Sequence, residues 1–131
     1  MANAVKVKEI IATTPDKAGM LAEVTNIVAG AGVNILALCA YAMEGNAKFL
    51  MLTSDNGKVI SALKSKKIGV EEAEVVSVTL SNKVGAAKEL AVKLAKAGVD
   101  IEYCYGSTGN GSEALFVVAA KNPDKALAAC L

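Results

Sequence analysis

Apolar positions along the chain recur with two different periods, and the two periods alternate. Residues 5–14 are rich in β-branched side chains and read as an extended, half-buried strand. A polar turn holding Asp16 follows. The spacing then lengthens, because Leu21, Val24, Val28 and Ala31 stand three or four apart, which is one face of an amphipathic helix. Gly32 stands where such a helix ends on a left-handed residue. Two strands are expected next, over residues 33–43 and 47–53, with a hairpin at Glu44-Gly45-Asn46. A second helix should start after Asp55-Asn56-Gly57, and a strand comes after it.

The same succession then begins again. Residues 75–80 form a strand, Asn82 sits in a polar turn, and Ala87, Leu90, Leu94 and Ala97 mark a helix that Gly98 closes. Strands follow over residues 99–107 and 114–120, joined by the polar stretch 108–112. A last helix starts at Asn122-Pro123, where Asn suits the N-cap and Pro the first helical position. Gly19, Glu23, Gly32, Val33 and Ile35 recur as Gly85, Glu89, Gly98, Val99 and Ile101, each 66 positions on, as 85 minus 19 shows. Held without a gap from Ala4 to Ser65, that offset gives 12 identities in 62 pairs. The chain is therefore an internal duplication. The expected fold is α+β, with domains 1–69 and 70–131. Each has the strand-helix-strand-strand-helix-strand order of the ferredoxin-like pattern, an antiparallel sheet with two helices on one face.

The second copy lacks the last strand of that order. Residues 70–80 meanwhile close the first sheet and open the second, and residues 4–14 are equally long. Strand exchange follows as an expectation, with residues 4–8 completing the second domain and Val5 and Val7 packing beneath it. In both stretches the apolar parity changes, from Val5 and Val7 to Ile10 and Ala12, and from Ala73 and Val75 to Val76 and Val78. A bend or bulge in the middle of each strand would accommodate that change.

Asp16-Lys17-Ala18-Gly19 before a helix and Gly-Val-Asn-Ile at the next strand, matched by Asn82-Lys83-Val84-Gly85 and Gly-Val-Asp-Ile, resemble the ACT-domain signature. Small free-standing tandem ACT proteins are similar to the second half above all. The resemblance implies regulatory binding of a free amino acid between paired domains, without catalysis. Carried over, the ligand residues are Asp16, Lys17, Ala18, Gly19, Asn34 and Ile35 in the first copy. In the second they are Asn82, Lys83, Val84, Gly85, Asp100 and Ile101. A helix N-terminus offers unpartnered N–H groups to a carboxylate, and Asp or Asn oxygens can accept from an ammonium. The family's proline before the loop glycine is replaced here by Ala18 and Val84.

Composition narrows the alternatives. The net charge of +1 comes from interspersed Lys and acidic residues, which argues against nucleic acid and membrane partners. No apolar run approaches the roughly 20 residues that span a bilayer. The absence of a secretory leader pattern and three scattered cysteines point to the cytoplasm. The chain has no His, Arg or Trp, so the commonest general base and the bidentate anion fork are missing. No enzyme activity, cofactor or metal is expected. The expected partners are a free amino acid, a second copy of the chain and a regulated enzyme. Simpler roles are open for the same residues: Asp16 and Asn82 as N-caps, Gly19 and Gly85 as packing positions, and Asn34 and Asp100 as turn residues. Cys104, between Tyr103 and Tyr105, is expected as a packing residue. If the ligand sites are degenerate, the fold becomes an assembly module.

Overall fold

The computed structural model describes residues 3–131. Its elements in chain order are β1 (Asn3–Pro15), α1 (Met20–Gly30), β2 (Ile35–Met43), β3 (Asn46–Thr53), α2 (Asn56–Ser65), β4 (Gly69–Ser81), α3 (Ala86–Lys96), β5 (Ile101–Thr108), β6 (Glu113–Ala120) and α4 (Pro123–Cys130). The fold is α+β, two ferredoxin-like halves in tandem.

The chain divides into two compact units. One is Lys8–Ala73, and the other joins residues 3–7 to residues 74–131. β1 and β4 therefore each give one half to each unit, and the repeat boundary at 69/70 differs from the packing boundary.

In the unit of residues 8–73, β1 pairs antiparallel with β3, and β3 with β2. Ile10, Ala12, Phe49 and Met51 face Met20, Val24 and Val28 of α1 and Val59 and Leu63 of α2, so both helices cover one sheet face. Each fully buried aliphatic side chain there contributes about 1.5–3 kcal/mol. Val70 of β4 packs against the same core. Asn56, at the start of α2, donates to Lys8 O at 3.0 Å and to Glu72 Oε2 at 3.3 Å, which ties that helix to the neighbouring strand residues.

In the other unit β4 pairs antiparallel with β6, and β6 with β5. Val76, Val78, Leu80 and Val118 meet Leu90 and Leu94 of α3 and Ala126 and Cys130 of α4. The N-terminal stretch belongs to this unit. Ala4 packs on its core, and Lys6 Nζ lies 2.7 Å from Asp124 Oδ1 and 3.5 Å from Glu74 Oε2. Val5, expected beneath this unit, is instead 56% exposed. The reason is parity: Ala4 is the residue of this stretch that packs on the core, and Val5, one position on, stands on the opposite face. The pairing registers of β1 with β3 from Ile10 on, and of β4 with β6 from Val76 on, run without a shift. Register shifts lie between Ile35 and Ala37 and between Ile101 and Tyr103, where the edge strands β2 and β5 begin.

The 66-residue offset also changes along the chain. Ala40 pairs with Phe49 and Gly106 with Phe116, so the offset is 66 on β2 and 67 on β3. The extra residue lies in the second hairpin. In the first, Glu44 (φ 54°) and Gly45 (φ 81°) turn the chain in two positive-φ residues, the geometry of a two-residue type I′ turn. From there on Asp55 corresponds to Asn122, and both accept an N-cap hydrogen bond, from Lys58 N and Lys125 N.

Candidate ligand-binding site

Both strand–helix loops are exposed and share one construction. Gly19 (φ 91°) and Gly85 (φ 89°) are left-handed and stand at the N-cap positions of α1 and α3. Only glycine adopts that conformation without strain. Their carbonyls accept from Glu23 N and Glu89 N, each at 3.0 Å. Neither helix start has a side-chain cap. Asp16 and Asn82, candidates for that role, sit too far upstream, and the glycines take the position. What the two residues do is bind the hairpins. Asp16 N donates to Gly45 O at 3.0 Å and Asn82 N to Ser112 O at 2.8 Å. The Asn82 side chain adds a bond to Gly111 O at 2.9 Å.

Asn34, Ile35, Asp100 and Ile101 lie away from these loops within each unit. Asn34 donates its N–H to Ser54 Oγ at 2.9 Å and accepts from Ser54 N at 3.0 Å. Asp100 accepts from Lys121 N at 3.1 Å and pairs with Lys121 Nζ, also at 3.1 Å. Both residues follow the C-terminus of a helix whose N-terminus carries the loop, and 11 residues of helix put the two ends roughly 16 Å apart. Asn34 and loop 16–19 are therefore not brought together inside one unit, nor are Asp100 and loop 82–85. Ile35 is half-buried against the first core and Ile101 is 41% exposed. Lys83 Nζ lies 3.6 Å from Glu89 Oε1, and Val84 is fully exposed.

A cavity of about 190 Å³ adjoins the second loop. Asn82 and Lys83 form one wall, Ala86 and Ala87 the helix side, and Gly106 and Thr108 the edge strand, with Phe116 among the lining residues. Gly106 is required there, because a Cβ would come within 2.8 Å of both Leu115 O and the Phe116 ring. The Thr108 hydroxyl donates to Gly109 O and Glu113 O, each at 3.2 Å, so its oxygen keeps acceptor capacity. Ala86, Ala87, Gly106 and Phe116 escaped the sequence reading. The signal was present in the duplication, where Met20, Leu21 and Ala40 match Ala86, Ala87 and Gly106. Cys104, expected in packing, is exposed because β5 is an outermost strand. Tyr103 and Tyr105 stack on the other face with ring centroids 6.5 Å apart.

Among the described residues no cluster of three His, Cys, Asp or Glu side chains could hold a metal ion, and no helix is long and apolar enough to cross a membrane. The model of the ACT domain pair family matches residues 5–131. The chain is an ACT domain pair. No curated protein matches it. Among solved structures, this ACT pair is similar to protein BT0572 from Bacteroides thetaiotaomicron, with 30% identity and a TM-score of 0.88 over 96% of this chain and 87% of that one. The regulatory subunit of aspartate kinase from Thermus thermophilus, in its ligand-free form, shares the fold at 16% identity and TM-score 0.69, covering 97% of this chain and 93% of that one. Aspartokinase III from E. coli, in complex with lysine and aspartate, shares it at 18% identity and TM-score 0.60, covering 98% of this chain and 31% of that one.

Proposed function

We propose that this ACT pair is a non-catalytic regulatory protein that senses a small free amino acid at the loop of residues 82–85. The observation that carries the reading is the 190 Å³ cavity beside that loop, too small for a drug-sized ligand and lined by both polar and small residues. The uncapped first turn of α3 offers N–H groups to the ligand's α-carboxylate. Thr108 Oγ1 offers an acceptor to its ammonium. Family membership supports a regulatory role, and one solved relative carries lysine and aspartate. Residues 16–19 form the corresponding, weaker loop. In this reading another copy of the chain supplies Asn34 and Asp100 to the loops, so it includes a homodimer in the cytoplasm and a regulated enzyme as its target.

A thermal-shift screen of the twenty amino acids tests the proposal. A ligand at 100 times its Kd should stabilise the protein by about 2.7 kcal/mol. The response should vanish in Ala86→Met, which places the first unit's residue in the cavity. If no amino acid moves the transition, the chain is an assembly module instead.

A further inference from the structure

A second cavity, of about 210 Å³, opens in the unit of residues 8–73, between the first loop, α1 and the turn from α2 into β4. Its walls include Thr14, Lys17, Met20, Glu23, Lys66 and Lys67. Three ammonium groups against one carboxylate leave it two net positive charges. Among the described residues, none of these three lysines lies within ion-pair distance of a carboxylate. The matching place in the other unit differs. There the cavity measures only about 60 Å³, and Lys83 is paired with Glu89 at 3.6 Å.

The backbone singles out Lys67. Ile68 N donates to Leu63 O at 3.1 Å and Lys67 N to Lys64 O at 2.9 Å, the paired bonds that end a helix on a left-handed residue. α1 and α3 end in the same pattern with Gly32 (φ 74°) and Gly98 (φ 67°) in the left-handed position. α2 puts Lys67 there, at φ 61°, a conformation disfavoured for a side chain with a Cβ. A lysine stands where glycine would fit more easily, and it is one of the three cations around the cavity.

We infer that this cavity is an anion site for a phosphate group, separate from the amino-acid loop of the other unit. Two net positive charges match a phosphate dianion, whereas an amino acid with an uncharged side chain has no net charge to meet them. Lysine ammoniums bind phosphate as point charges.

Isothermal titration of the full chain at fixed ionic strength tests this, with inorganic phosphate and glycerol 3-phosphate in separate arms and chloride as the control. Saturable binding is expected in at least one arm, and the tighter arm tells free phosphate from a phosphate ester. Lys67→Gly should weaken that binding about tenfold, the equivalent of one charge-assisted contact. The same variant should raise the melting temperature of the ligand-free protein, because glycine relieves the left-handed strain. The inference is overturned if neither compound binds more tightly than chloride. It is equally overturned if the triple variant Lys17→Ala, Lys66→Ala, Lys67→Gly binds as the wild type does while keeping its cooperative melt.

Discussion

Where the unit of residues 8–73 carries Met20 and Leu21 at the start of its first helix, the other unit carries Ala86 and Ala87. Opposite them on the edge strands, Ala40 in one unit matches Gly106 in the other. The effect shows on the phenylalanines behind. Phe49 is 3% exposed, whereas Phe116 is only half-buried and lines the cavity. Both loops have the left-handed glycine and the same hairpin bond, so the loop backbone is present twice. Side-chain volume decides which loop has a cavity between its helix and the edge strand. The motif that identifies the family therefore reports the loop's backbone, and the first residues of the helix report the space beside it.

Experiments on paired positions can break this comparison, and the largest effect should come from the N-terminal strand. Deleting residues 1–8 removes Ala4 and Lys6 from the unit of residues 74–131, and should destabilise it by more than about 2 kcal/mol, the scale of losing buried core contacts. Hydrogen exchange on β5 and α4 reads the loss, and unchanged protection would contradict the division of the strands. Next come the closing helices, in which Leu63 corresponds to Cys130. Leu63→Ala should cost about 2–5 kcal/mol and Cys130→Ala only about 1 kcal/mol, because less buried volume is lost. Urea unfolding midpoints compare them. Third, Gly106→Ala should cost about 1–3 kcal/mol through overpacking against Phe116 and Leu115 O. The reverse change, Ala40→Gly, should cost about 0.5–1 kcal/mol through backbone entropy alone. Equal effects in the two would mean that the edge strands are packed alike.

The smallest effect concerns pH. The Lys6 ammonium titrates above its ordinary range, first because it hydrogen-bonds to Asp124 and then because the charges of Asp124 and Glu74 favour the protonated form. A raised folded-state value contributes stability that is fully present below the unfolded pKa. That contribution is lost as pH rises through the higher folded value. Melting temperature should therefore fall more steeply above about pH 10.4 in the wild type than in Lys6→Met. Parallel curves would show that the exposed pair contributes nothing.

Periodicity made the elements readable because each helix buries one face and the central strands β3 and β6 are continuous apolar runs, and β1 to β3 recur in β4 to β6 in the same order. Parity was read correctly for Ile10 and Ala12 but not for Val5, because an apolar side chain on an exposed face looks the same in sequence as one in a core. The loop glycines could be read from their repetition. The cavity could not, because it is made by what is small, and Ala86 and Gly106 carry no chemistry of their own. The one-residue change of offset was hidden for a similar reason: a gapless comparison still matched Asn56 with Asn122, whereas the N-caps show Asp55 to be the partner of Asn122.

The divided strands also order events during synthesis. The unit of residues 8–73 is contiguous, so all of its partners have left the ribosome once Ala73 is clear. The other unit spans a separation of 118 residues between Lys6 and Asp124, and its N-terminal stretch has no helix α4 to meet until Pro123–Cys130 has been made. Loop closure over that length is slow compared with local contacts. Translation thus leaves residues 3–7 without their helix partner while the segment from Ala73 to Asp124 is made, an interval in which a second nascent chain can supply the same partner. Exchange of this segment between copies is therefore expected during synthesis rather than after folding.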